Sequence, residues 1–164
     1  MYGIYDMPLS ISAEGMSISI EKREGEYLYK REAKEESVEK SLFTKDCSVL
    51  INPVEPLNTP RDITPYLLTE FENIVVVEPE GISSIYITFP IDIGVFVGKR
   101  GRDSKDFQII DVFSLYPGKY TLYGDIRTGI LCKYYKSNMS MSAPSANPVI
   151  EEIMELKISN KTEK

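Results

Sequence analysis

The sequence contains no histidine. Catalysis by Ser-His-Asp or Cys-His groups is therefore excluded, because both arrangements need an imidazole to carry the proton. The usual catalytic zinc sites and the mixed cysteine–histidine zinc sites also need histidine, and two cysteines are too few for a zinc site made of four thiolates. We expect no cofactor, and any bound metal would be a hard cation held by carboxylate and carbonyl oxygen atoms.

Cysteine and long apolar runs are also scarce. Cys47 and Cys132 lie far apart in the sequence. Separate buried thiols are the commoner state in a cytoplasmic chain, and the sequence leaves open whether the two pair. No apolar run reaches the roughly 18 residues that a membrane-spanning helix needs. The N-terminal MYGIYD lacks the basic and apolar regions of a secretory signal, so we expect a cytoplasmic protein.

The charge balance is acidic, with 25 acidic and 19 basic residues and a net charge of −6. A negative surface repels phosphate backbones, so a nucleic-acid partner is not expected. Hydrophobic residues make up 42% of the chain and charged residues 27%, which are ordinary values for a globular protein. With 164 residues, this composition predicts a single β domain over residues 1–164.

The apolar residues are mostly β-branched or aromatic, with 19 isoleucines, 11 tyrosines and 6 phenylalanines. Such side chains favour strands over helices. Residues 16–22 alternate between apolar and polar, which predicts a strand with one wet face, and residues 27–31 predict its hairpin partner. Residues 49–51 and 74–77 are continuous apolar runs and are predicted to be buried strands. Residues 32–46 are rich in mixed charge and are predicted to form a loop leading into a strand.

Proline and small polar residues divide the second half of the pattern. Three prolines between residues 53 and 60 predict a rigid extended crossing between strands. Pro90 predicts a strand that bends or changes sheets. Residues 137–148 (SNMSMSAPSANP) predict a flexible loop, and residues 152–159 predict a final strand. The whole pattern predicts an all-β fold, an antiparallel β-sandwich or alternatively a partly open β-barrel, with at most one short helix.

Several long segments resemble a known family. They are residues 2–8 (YGIYDMP), 50–58 (LINPVEPLN), 86–97 (YITFPIDIGVFV), 111–115 (DVFSL) and 121–129 (TLYGDIRTG). They are similar to an archaeal family of uncharacterised proteins, classed as a domain of unknown function. The resemblance implies an archaeal, cytoplasmic protein, in a family whose members extend beyond the length of this chain. It implies no activity, cofactor or catalytic residue.

The first candidate site is the polar set Asn52, Glu55 and Asn58 in the proline-rich segment. Prolines preorganise the chain, so these side chains could bind a cation or a small polar ligand. A structural crossover, whose polar side chains satisfy turn amides, explains them more simply.

The second candidate is Tyr123, Asp125 and Arg127 beside two glycines. An acid and a base two residues apart on a glycine-flanked loop could hold a zwitterion or a phosphate, with the forked guanidinium of Arg127 binding the anionic group. The simpler alternative is that Asp125 caps the turn and Arg127 pairs at the surface.

The third candidate is a basic patch formed by Lys99, Arg100, Arg102 and Lys105. It could contact an acidic partner or a phosphate backbone. A solvated turn between two strands, whose charges prevent another strand from pairing at the sheet edge, explains the patch equally well.

These observations favour a non-catalytic binding or assembly module. Its partner would be another protein or a second copy of the chain, paired along an edge strand, and the strand-like final segment motivates this expectation. The alternative is a carboxylate-based hydrolase, with a divalent cation at Asp125 or Glu55. That alternative predicts that Glu55, Asp92 and Asp125 converge in one cleft.

Overall fold

The computed structural model describes residues 1–34, 36–57, 63–101, 106–116 and 118–163. These residues form fourteen strands and no α-helix, so the prediction of an all-β fold is confirmed. None of the described residues belongs to a helix that could cross a membrane. The strands are β1 Gly3–Asp6, β2 Leu9–Ala13, β3 Met16–Arg23, β4 Glu26–Ala33, β5 Glu36–Leu42, β6 Cys47–Val54, β7 Leu67–Phe71, β8 Ile82–Pro90, β9 Asp92–Lys99, β10 Gln108–Phe113, β11 Lys119–Tyr123, β12 Ile130–Ser137, β13 Met139–Ser140 and β14 Glu151–Ser159.

The chain divides into two compact units, of which the first comprises Met1–Val54 and Ile93–Leu115. This unit contains two four-stranded sheets, with strand orders β1-β6-β9-β10 and β2-β3-β4-β5. The pairs β1–β6 and β9–β10 and all neighbours in the second sheet run antiparallel. Strand β6 lies inside its sheet and Val49 and Ile51 are buried, so the prediction of a buried strand at residues 49–51 is confirmed.

Alternation of side chains produces the buried face of the second of these sheets. In the β3–β4 hairpin, directly opposite residues share a face because the pairing is regular. Six residues of this face are buried: Met16, Ile18, Ile20, Tyr29, Arg31 and Ala33. The predicted strand with one solvent-exposed face is therefore confirmed. The charged side chain of Arg31 lies on the buried face.

The two sheets of the first unit pack face to face. The Tyr29 hydroxyl and the Arg31 guanidinium of β4 both reach Asp111 of β10, and Arg31 also lies over the Phe113 ring at 4.3 Å from its centre. The facing residues of the other sheet are apolar and buried, among them Val49, Ile51, Ile93 and Val95. The predicted β-sandwich is confirmed in this unit.

The second unit comprises Glu55–Asp92 and Tyr116–Lys164. It contains two three-stranded sheets, with orders β11-β12-β7 and β13-β8-β14. One pair departs from the antiparallel prediction, because β7 runs parallel to β12. Pro90 ends β8 in one sheet and β9 begins two residues later in another, which confirms the predicted change of sheet.

Two local predictions were wrong. Residues 74–77 form no strand, and Ile74 and Val76 are 91% and 85% exposed. An apolar run is buried only where neighbouring strands and a covering layer are present, and this run pairs with none of the described strands. Residues 36–42, predicted as loop, form strand β5, because its charged side chains lie on an edge strand open to water.

The structure does not test the predicted flexible loop at residues 137–148 or the predicted single domain. Within residues 137–148, Met139 and Ser140 pair with β8, and the Asn147 carbonyl accepts backbone hydrogen bonds from Ile150 and Glu151 in a turn before β14. The flexibility of this segment stays a prediction, as does the single domain over residues 1–164.

Candidate functional site

The polar set in the proline-rich segment is only partly described. Asn52 is exposed on β6, and Glu55 is exposed directly after that strand. Asn58 lies outside the described residues. The ligand-binding role of these three residues therefore stays a prediction from the sequence.

The basic patch is partly neutralised by acidic neighbours. One nitrogen of the Arg100 guanidinium lies 3.0 Å from the Asp6 carboxylate and another lies 3.7 Å from that of Asp46. The Arg100 backbone N–H also donates to the Asp46 carbonyl. Lys99 is exposed at the end of β9, while Arg102 and Lys105 lie outside the described residues. These contacts favour the structural explanation for Arg100.

The loop that joins β11 to β12 is organised by Asp125. Its carboxylate accepts a hydrogen bond from the Arg127 N–H over 2.8 Å, and its carbonyl accepts from the Gly129 N–H over 2.6 Å. A Cβ at Gly129 would lie 2.5 Å from that carbonyl oxygen, so only glycine fits there. The side chains of Tyr123, Asp125 and Arg127 are all exposed. The capping role of Asp125 is therefore fulfilled within its own loop.

Exposed apolar side chains surround this same loop. We call them the hairpin tip: Leu122, Tyr123, Ile126, Ile130 and Leu131. Ile126 is 87% exposed at the apex and Tyr123 is 62% exposed. A cluster of exposed apolar side chains on one feature is typical of a docking surface, whereas isolated ones are ordinary.

The hairpin tip extends beyond its sheet. Pairing between β12 and β7 begins only at Lys133, so residues 130–132 pair with β11 alone among the described strands. Leu122 lies opposite Leu131 on one face, and Tyr123 lies opposite Ile130 on the other. Both faces therefore carry apolar side chains, which are 40% to 62% exposed at these four positions.

The acids named in the hydrolase alternative lie in different environments. Asp92 is fully buried, with Oδ1 3.4 Å from the Lys133 ammonium, while Glu55 and Asp125 are exposed. A carboxylate closed to solvent is in no position to act on a substrate beside two exposed ones. Among the described residues, no three acids or cysteines come together as metal ligands. Both cysteines are free thiols.

Two buried ion pairs were missed at the sequence level. In the first unit, Arg31 Nε lies 2.7 Å from Asp111 Oδ2, and the Tyr29 hydroxyl donates to the same oxygen over 2.7 Å. In the second unit, Lys133 contacts Asp92 and also donates to the Pro56 carbonyl. The sequence could have indicated that Arg31 is buried, because it lies two residues from both Tyr29 and Ala33 and so shares their face of the strand. Each pair joins two strands, β4 with β10 and β12 with β9.

Two buried tyrosines, Tyr29 and Tyr135, carry raised pKa values. Burial, followed by the hydrogen bond to Asp111, raises the pKa of Tyr29 well above its usual range. Burial is also the largest cause that raises the pKa of Tyr135 to about 12, with the hydrogen bond to Thr88 lowering it and that to Glu151 raising it. The phenolate is disfavoured only in the folded protein. Each tyrosine therefore stabilises the fold fully below the ordinary tyrosine pKa, and this contribution is lost as pH rises toward the raised pKa of the folded state.

We therefore expect the free energy of unfolding to fall as pH rises above about 10, the ordinary tyrosine pKa. Each tyrosine that stays protonated only in the folded state contributes a slope of about 1.4 kcal/mol per pH unit. The variant Tyr29→Phe should show a shallower slope by about that amount. Denaturant unfolding of both proteins between neutral and alkaline pH measures the two slopes, and equal slopes would contradict the assignment.

Comparison with known proteins places the chain in a family. No curated protein and no solved structure matches the sequence. A family model described as "Protein of unknown function (DUF432)" matches residues 1–164. Because that match covers the whole sequence, the chain belongs to the DUF432 family of uncharacterised proteins.

Proposed function

We propose that the chain is a non-catalytic binding and assembly module, which docks on a partner protein through the hairpin tip and associates with a second copy of itself. The observation that carries the docking role is the hairpin tip, a two-stranded end that exposes apolar side chains on both faces. The cytoplasmic location and the archaeal origin stay predictions from the sequence.

Charge and shape favour a protein as the occupant of the hairpin tip. The net charge of −6 opposes approach to anionic lipid. The apex residue Ile126 and the neighbouring Tyr123 can enter an apolar pocket of a partner, while Asp125 and Arg127 remain at the rim. Aromatic and aliphatic anchors surrounded by polar residues are the usual composition of a binding hot spot.

Replacing Tyr123 and Ile126 together with serine should weaken partner binding by about 2 to 4 kcal/mol, or roughly 30- to 1000-fold in Kd. The partner is first crosslinked in cells through a photoreactive residue at position 126. It is then purified, and its Kd is measured against the wild-type chain and the double variant. Both positions are exposed, so the fold should tolerate serine with a change of about 0.5 kcal/mol or less.

The variant Ile74→Ser is the matched control, because Ile74 is an exposed isoleucine of the same unit that lies outside the hairpin tip. It should bind the partner as the wild type does. The docking role is contradicted if the purified partner binds the double variant unchanged, if position 126 crosslinks only to a second copy of the chain, or if the wild type binds neutral lipid vesicles through the tip.

A further inference from the structure

Strand β14 offers a long, open sheet edge. It pairs with β8 over all nine of its residues, in a regular register from Glu151–Pro90 to Ser159–Ile82. No other described strand pairs with it, so its second edge faces outward. Ile153 and Met154 are 41% and 40% exposed, so the strand is poorly covered on both of its faces. An exposed edge of this length is a template for another strand.

The direction of the backbone groups follows from the hydrogen bonds at the two ends of the pairing. The Ile150 carbonyl accepts from the Ile91 N–H, and the Asn160 N–H donates to the Gly81 carbonyl, each over 3.0 Å. Because the register between them is unbroken, the even-numbered residues of β14 direct their N–H and C=O groups toward β8. The odd-numbered residues, Ile153, Glu155 and Lys157, direct theirs to the open edge.

The two faces of β14 differ in chemistry. Met154 and Leu156 lie opposite Ile87 and Ile85, which are buried, so these two side chains extend the apolar face of the sheet. Glu155 and Lys157 lie together on the other face. Their charged atoms are 4.0 Å apart, with side chains that are 41% and 71% exposed. Such an exposed pair contributes little within one chain and is available to a new partner.

We propose that two copies of the chain pair their β14 strands antiparallel about a two-fold axis at Leu156. This register places Glu155 opposite Lys157 of the second copy, and the symmetry repeats the pair. It also places Met154 opposite Ile158 on the apolar face, and it matches outward-directed backbone groups with one another. The proposal rests on the assembly part of the proposed function and names its partner.

Registers with the axis at residue 154, 155 or 157 also match the backbone groups, and they are less complementary. An axis at Glu155 places the two Glu155 carboxylates opposite each other, and an axis at Lys157 does the same with two ammonium groups. An axis at Met154 places Glu152 opposite Leu156 and Ile153 opposite Glu155. Like charges and charge-to-apolar contacts directly across a strand pair are unfavourable. The axis at Leu156 alone avoids both in this set, and an isologous contact of this kind closes as a dimer.

Charge reversal tests the pairing in the full-length chain. By sedimentation equilibrium over a concentration series, the wild type should be a dimer, and E155K and K157E should each dissociate about 10- to 100-fold more readily, because each creates two like-charge pairs. The double variant E155K/K157E should recover the dimer. An equimolar mixture of the two single variants should form a heterodimer, because every cross-strand pair is then Glu–Lys.

Cysteine crosslinking tests the axis. Residues on the axis at Leu156 form a pair without mutual backbone hydrogen bonds, whose Cα atoms lie about 4.5 Å apart, within reach of a disulfide. In a Cys47→Ser background, L156C should therefore crosslink two copies under mild oxidation, whereas E152C on the same face should not. Crosslinking of E155C or M154C instead would overturn this register and leave self-association standing. A wild-type chain that remains monomeric would overturn both, without touching the docking role of the hairpin tip.

Discussion

Replacing Asp111 with alanine is expected to lower the free energy of unfolding by about 3 to 5 kcal/mol, because it leaves the charge of Arg31 buried without its carboxylate. The Arg31 side chain is 4% exposed and its Nε lies 2.7 Å from Asp111 Oδ2. The acid that remains, Glu36, lies 3.4 Å from the guanidinium and is 75% exposed, so it compensates poorly. Unfolding in urea at neutral pH, followed by circular dichroism, measures the loss.

Two variants separate the ion pair from its surroundings. Glu36→Ala removes an exposed carboxylate and should cost about 0.5 kcal/mol or less. Arg31→Met, Asp111→Leu and Tyr29→Phe together remove both charges and the hydroxyl that donates to Asp111, and should recover most of the stability lost in Asp111→Ala, because apolar residues of similar volume replace a buried polar group well. A loss below about 1 kcal/mol in Asp111→Ala would show that Arg31 is not held as described.

The Arg31–Asp111 pair also fixes how the two sheets of the first unit meet. Arg31 lies in β4 and Asp111 in β10, eighty residues apart in sequence. Moving either strand by one residue would turn its charged side chain to the opposite face of its sheet. The pair, together with the Tyr29 hydroxyl, therefore opposes registers that apolar packing alone would tolerate.

The strand pattern was predictable because alternation leaves a direct trace in the sequence. Ile18 and Ile20 are 0% and 1% exposed, and Ile85 and Ile87 are 4% and 3% exposed, as period-two burial requires. The final strand lies within one residue of its predicted start. The change of sheet at Pro90 followed from the inability of proline to donate a hydrogen bond inside a sheet.

The buried charges were not predictable in the same way. Lys133 lies in a strand where charged and apolar residues alternate irregularly, and its partner Asp92 is 41 residues away in the chain. A single sequence does not tell which strands become neighbours, so an ion pair between them leaves no local signal. The prediction of a buried strand at residues 74–77 failed for the same reason, because apolar character alone does not provide a neighbouring strand to pair with.

The hairpin tip shows a different limit. The sequence drew attention to Asp125 and Arg127 because polar residues between glycines suggest a ligand loop. The structure assigns Asp125 to the turn itself and leaves Ile126 almost fully exposed, with Leu122 and Leu131 40% and 43% exposed. In a strand pattern such residues are taken as core. The structure shows that β7 pairs with β12 only from Lys133 onward, so residues 130–132 have no described strand on that side.

Replacing Lys133 with methionine is expected to lower the free energy of unfolding by about 3 to 5 kcal/mol, because the Asp92 carboxylate then stays buried without the ammonium group. Asp92 is 0% exposed and Lys133 is 5% exposed. Methionine keeps the length of the side chain, so the loss reports charge and hydrogen bonding rather than a cavity. Urea unfolding measures it, and hydrogen exchange at the β12 amides locates it.

Lys136→Met is the matched control for Lys133→Met, since it makes the same substitution three residues further along β12. Lys136 is 51% exposed and lies 3.5 Å from the Glu72 carboxylate, so its loss should cost no more than about 1 kcal/mol. The contrast isolates burial as the cause, because residue type, strand and pairing with an acid are shared. Equal losses in the two variants would mean that Asp92 is neutral or solvated in the folded chain, and that the Lys133–Asp92 pair does not hold the second unit together.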